Sequence, residues 1–174
     1  MVNNKLQAGQ TSADGGGAVA ALDGYFDGVV HCYPLRVQYE DTDAGGIVYH
    51  AQYLAFAERG RSAWLRCLQI GQSALLADAG QGFVVRRIEI DFVRPAKLGA
   101  AVEVTSRLDR LGGASMKLFQ IIRNIEDGHI LARLFVDIGF VAFNAGETPR
   151  IARLPAAVRS RLSGVMTVSE TAVS

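Results

Sequence analysis

Three acidic residues, Glu40, Asp41 and Asp43, crowd one short stretch and run straight into Gly45-Gly46 and then Ile47-Val48-Tyr49-His50. The residues that follow, to about Leu68, carry helical periodicity. The first N–H groups of a helix have no partner within it and carry the positive end of its dipole. Such donors near Tyr49, His50 and Ala51 would stabilise a carbonyl oxygen as it becomes negative, which is the requirement of acyl transfer. A carboxylate just upstream, Asp43 or Asp41, could act on the same carbonyl as general base or nucleophile. Gly45 and Gly46 remove side chains where a substrate arm would approach.

The leaving group narrows this chemistry. A thiol, with a pKa of about 8.5, leaves as thiolate near neutral pH without a proton donor, whereas an alcohol or amine needs a general acid. The three histidines, His31, His50 and His129, are far apart in sequence, and neither a Ser–His–Asp set nor a metal cluster is evident. One carboxylate with an oxyanion site suffices for a thioester and is weak for a peptide. Against this stands a plainer reading, in which Thr42 and Asp43 only cap the turn into the helix. Likewise His50 could be a solvated residue, and Glu58 with Arg61 a surface pair on the helix.

The elements that must hold this segment follow from the pattern around it. Leu35, Val37 and Tyr39 alternate with Arg36 and Gln38, predicting a strand over 31–39. Tyr53, Phe56, Ala57, Gly60, Trp64 and Leu68 share one stripe of the long helix. Gly60 in mid-helix costs about 1 kcal/mol against alanine, so a close approach to a neighbouring strand is expected there. Gly71 is expected to end this helix and Ser73 to cap a short second one reaching Ala79. Strands are predicted over 83–94, 101–111, 114–126 and 129–143, with Gly112-Gly113 and Asp127-Gly128 as hairpin turns. Pro155 opens a last helix ending near Gly164. One long helix and several strands with one apolar face each imply an α+β domain, a curved antiparallel sheet wrapped around the helix, with the last four strands as a meander.

Bulk properties agree. Of 174 residues, 49% are hydrophobic and 20% charged, enough for one sizeable core. A net charge of +1 gives no case for nucleic acid. Cys32 and Cys67 read as free thiols in a reducing compartment, no run reaches the ~18–20 apolar residues of a membrane span, and a cytoplasmic protein is expected. Residues 1–28, poor in large apolar side chains, are expected to be a mobile extension, 29–165 the domain, and 166–174 a flexible tail.

The run from Tyr39 to Leu54, with Glu58-Arg59-Gly60-Arg61 after it, closely resembles the signature of the 4-hydroxybenzoyl-CoA thioesterase family, and within it the Tol–Pal-associated acyl-CoA thioesterases. The likeness continues through Phe83-Val84-Val85-Arg86 and Phe92-Val93-Arg94-Pro95-Ala96, then more loosely to about Pro155. It implies a hot-dog fold and hydrolysis of acyl-CoA without metal or cofactor, in homodimers or homotetramers. The family's catalytic carboxylate falls on Asp43. Its carbonyl-polarising helix start falls on Tyr49 and His50, with Gly46, Val48 and Tyr49 against the substrate. Gly60 departs from the alanine expected at that point of the motif. Two other readings stand beside this one. Glu58 could be the catalytic acid, or the chain could bind an acyl carrier protein or a lipid-synthesis partner without hydrolysis. Arg86, Arg87, Arg94 and Lys97 are the candidates for the CoA phosphates.

Overall fold

A computed structural model describes residues 21–166; residues 1–20 and 167–174, which hold most of the expected extension and tail, lie outside the described residues. In chain order the elements are β1 (Tyr25–Asp27), β2 (Val30–Arg36), α1 (His50–Cys67), α2 (Gln72–Ala79) and β3 (Gln81–Phe92). They continue with β4 (Ala101–Leu111), β5 (Ser115–Asn124), β6 (Ile130–Ala142), β7 (Arg150–Ile151) and α3 (Ala156–Ser163). The α+β hot-dog arrangement is present: one antiparallel sheet curves around α1.

The apolar stripe of α1 explains its place. Tyr53, Phe56, Ala57, Trp64 and Leu65 are buried against Val102, Val104 and Leu108 of β4, Leu118 and Ile122 of β5, and Leu134 and Val136 of β6. Gly60 lets the helix lie against β4: a Cβ there would stand 2.8 Å from Val104 Cγ1. The approach expected from its position is real.

Beneath the apolar stripe runs a polar crosslink that the surface-pair reading of Glu58 and Arg61 missed. Arg61 is buried, pairs with Glu58, and donates from Nη1 to Gln120 Oε1 at 2.8 Å. Gln120 Nε2 in turn donates to Ala57 O at 3.1 Å and to Ser106 Oγ at 2.8 Å. The network satisfies a buried cation where helix and sheet meet, and burial without such partners would be costly. Its signal in the sequence was Gln120, a polar residue at an inward position between Leu118 and Ile122.

Four expectations need correction. The last four long strands are not a meander: the sheet order is β1-β2-β4-β5-β6-β3, so β3 pairs with β6, from Gln81↔Ala142 to Phe92↔Ala132. Strand β2 takes β4 as its neighbour, Leu35 opposite Val102, and the chain from Val93 to Ala100 must cross over to make that possible. Secondly, residues 21–28 belong to the fold rather than to an extension. Phe26 packs its ring edge-on to His31 at 5.2 Å, and the Asp23 carboxylate accepts from Arg66 Nε at 2.8 Å. These two side chains anchor a segment that apolar content alone made look loose. Thirdly, the first strand stops at Arg36, and Tyr39–Asp41 is a turn of 3-10 helix. Finally, the left-handed residue after α1 is Gln69 (φ 57°), while Gly71 stands at the N-cap of α2 with Ser73 inside it.

Candidate active site

The segment between β2 and α1 is a closed loop. Asp41, 1% exposed, accepts the Gln38 N–H on Oδ2 at 2.8 Å, and Thr42 bridges to Val48. Asp43 N–H donates to Ile47 O and Gly46 N–H donates to Asp43 O, each at 3.0 Å. Gly46 has φ 73°, a backbone region that favours glycine, with open space around its missing Cβ. Gly45 clears a different obstacle, because a Cβ there would lie 3.1 Å from the Asp43 carboxylate.

Asp43 itself is exposed, and its Oδ1 accepts the Gly45 N–H at 2.8 Å. That bond fixes the side chain. Oδ2 has no hydrogen-bond or ion-pair partner among the described residues, so it is available to water or to a carbonyl carbon.

The helix start differs in one respect from expectation. Tyr49 N–H donates to Asp41 O at 2.9 Å, so it is not an oxyanion donor. A carbonyl eight residues back reaches it because the loop turns fully around. Among the described residues the N–H groups of His50 and Ala51 have no acceptor, and these two are the free donors at the positive end of α1. The Tyr49 and His50 rings lie 4.4 Å apart, with the His50 ring edge-on to Phe92 at 6.4 Å.

A cleft of about 350 Å³ opens beside these donors, walled by Ile47, Val48, His50, Tyr53, Phe92, Val93, Arg94 and Pro95. Of the expected site residues, Val48 and His50 line it; Asp43, Gly46 and Tyr49 stand on the loop at its side. Sequence reasoning missed two lining residues, Tyr53, which it placed on the core stripe of the helix, and Phe92 at the end of β3. Tyr53 Oη accepts the Ala96 N–H at 2.9 Å, and burial raises the phenol's pKa, so it stays protonated. The crossover after β3 is thereby fixed to the helix, and further backbone bonds complete the joint: Val48 N–H to Ala96 O at 2.9 Å and Leu98 N–H to Gly46 O at 3.2 Å.

The cationic candidates separate into two places. Arg86 and Arg87 share a cleft of about 500 Å³ with Arg110, Lys117 and Asp137. Arg94 and Lys97 line another, of about 620 Å³, together with Glu126, Asp127 and His129. Glu58 is held by Arg61 and by Ser62 Oγ, on the rim of a small apolar pocket away from the His50 cleft. Among the described residues no group of three or more His, Cys, Asp or Glu could hold a metal ion, and no helix is long and apolar enough to cross a membrane.

Comparison with known proteins bears on this geometry. Residues 37–162 match the family model described as the thioesterase-like superfamily. The acyl-CoA thioester hydrolase YbgC of Escherichia coli O6:H1 is 43% identical over 95 residues, 55% of this chain and 70% of that protein. The crystal structure of a probable thioesterase from Bartonella henselae is 38% identical with a TM-score of 0.64, covering 72% of this chain and 99% of that one. A mutant 4-hydroxybenzoyl CoA thioesterase complexed with 4-hydroxybenzoyl CoA shares the fold, at 15% identity and TM-score 0.71, over 76% of this chain and 98% of that one.

Proposed function

The chain belongs to the thioesterase-like superfamily and is an acyl-CoA thioesterase, and from that premise we propose that Asp43 is its catalytic carboxylate and the start of α1 its oxyanion site. The acyl group lies in the His50–Phe92 cleft, whose walls are mostly apolar. Its carbonyl oxygen takes the His50 and Ala51 N–H groups. Asp43 Oδ2 removes a proton from water as the water oxygen attacks the carbonyl carbon; the C–S bond then breaks and CoA leaves as thiolate. In the nucleophilic variant, Asp43 forms a mixed anhydride that water opens. The observation that carries this reading is a carboxylate with one oxygen fixed by Gly45 and the other free, on a loop bonded directly to a helix start with two free donors.

Asp43→Asn tests it. Turnover of acyl-CoA should fall at least a thousandfold, with the far-ultraviolet dichroism and elution volume unchanged. Near-normal turnover would overturn the assignment. Label in the Asp43 side chain after a single turnover in ¹⁸O-water would identify the anhydride route, opened by water at the Asp43 carboxyl carbon, since general-base attack leaves that side chain unlabelled.

The Arg86, Arg87, Arg110 and Lys117 cleft is the better candidate for the CoA phosphates, because its four cations outnumber the nearby carboxylates, Asp137 in the lining and Glu89 paired with Arg87. The same cations suit the acidic surface of an acyl carrier protein, an alternative donor carrying the same thioester. Tight binding of acylated carrier without hydrolysis of any acyl-CoA would favour the binding-module reading. Assembly into dimers or tetramers is supported by β3, twelve residues long at the sheet edge and, among the described residues, unpaired on one side. Two free cysteines support a reducing, cytoplasmic setting.

A further inference from the structure

We infer that Asp41 is a positioning residue for this hydrolysis, whose buried carboxylate fixes the turn from which its own carbonyl takes up the Tyr49 N–H. The inference rests on the assignment of Asp43 and the helix start above. Asp41 acts at two points at once. Its side chain closes the Tyr39–Asp41 turn through the Gln38 N–H at 2.8 Å, and its carbonyl holds the first amide of the α1 entry at 2.9 Å. It stands two residues before Asp43, so a displacement of Asp41 moves the carboxylate and the oxyanion donors relative to one another.

The price of this arrangement is visible. Asp41 is 1% exposed, and its Oδ1 is the one carboxylate oxygen among the described residues that is buried without a partner. An unpaired buried oxygen is costly, and such groups call for a reason. The reason here is the helix start. With the turn closed, the Tyr49 amide is occupied, and the substrate oxygen meets only the His50 and Ala51 donors. With the turn relaxed, the Tyr49 amide is released and competes for that oxygen one residue upstream, drawing the carbonyl carbon away from Asp43.

Steady-state kinetics on purified Asp41→Ala, Asp41→Asn and Asp41→Ala/Asp43→Asn test this. A misplacement of about 1 Å costs up to about a hundredfold in rate. Asp41→Ala should therefore lose about 10–100-fold in kcat per folded molecule, with KM changed by less than about threefold. Asp41→Asn keeps an acceptor for the Gln38 N–H and should recover to within about threefold of wild type. The double variant should be no slower than Asp43→Asn alone, because Asp41 acts through Asp43. In wild type the Tyr49 amide should exchange with solvent deuterium at least tenfold more slowly than those of His50 and Ala51. A kcat for Asp41→Ala within twofold of wild type would overturn the inference, as would equal exchange of the three amides. Should Asp41→Ala not fold, a loss above tenfold in folded Asp41→Asn overturns it. If Asp43→Asn is itself active, the functional reading fails; if it is inactive and Asp41→Ala is not impaired, only the positioning role fails.

Discussion

Replacing Gly60 with alanine sets two known effects against each other at one atom. In the middle of α1 alanine is favoured over glycine by about 1 kcal/mol, from helix propensity alone. The new Cβ, however, would stand 2.8 Å from Val104 Cγ1 and 3.1 Å from Val104 Cβ. Both are atoms of a β-branched side chain in β4, stiff at χ1 and wholly buried, so they cannot swing aside. Forcing a methyl into so packed a site costs about 1–3 kcal/mol. The crowding wins, and Gly60→Ala should be destabilised by about 1 kcal/mol, lowering Tm by about 3 °C for a domain of this size. Urea denaturation and calorimetry read both numbers. Val104→Ala removes the obstructing methyl groups and by itself destabilises through the cavity it leaves. In the double variant the alanine methyl enters that space, so the two effects should fall short of additivity by about 1 kcal/mol or more. A Tm that rises for Gly60→Ala, or strict additivity in the double variant, would refute the close approach of helix and sheet as the reason for this glycine.

Two further outcomes follow from buried polar groups. His31 is wholly buried with Nε2 against Asp23 O at 2.7 Å, and burial holds its pKa below the ordinary 6.5. The unfolded chain therefore binds more protons than the native one as pH falls below about 6.5, and stability declines there until the native imidazole also protonates. His31→Gln should remove that component, so its deficit against wild type, measured by urea denaturation from pH 8 to 5, should shrink towards acid; a constant deficit would count against it. Arg61→Leu strands Gln120 Oε1 and should cost about 1–3 kcal/mol, with kcat per folded molecule within about twofold of wild type. A collapse of kcat would instead point to Glu58 as the working acid.

Helix α1 was legible almost to the residue, because eighteen residues with one apolar stripe and no proline leave little choice. The strand faces were equally plain, yet their order was not. Alternation in β3 says which side chains point inward and nothing about whether β4 or β6 lies beside it. The Asp43 loop could be read as a loop with a carboxylate and two glycines. That the Tyr49 amide is occupied could not, since its partner, the Asp41 carbonyl, is a backbone atom with no sequence signature. Arg61 was misread for a related reason: a helix wheel assigns faces, and only Gln120, on another element, shows that this face is covered.

The crossover from Val93 to Ala100 carries part of the cleft wall. It is attached to the Asp43 loop through main-chain atoms, Ala96 O to Val48 N–H and Gly46 O to Leu98 N–H. Joints of that kind are indifferent to side-chain identity. Val93, half-exposed on the cleft, can therefore change without disturbing the backbone around Asp43. On the assignment proposed above, the chemistry and the choice of acyl group lie on separable stretches of chain, so that new substrates can be acquired by natural variation at the wall while the reacting groups stay where they are.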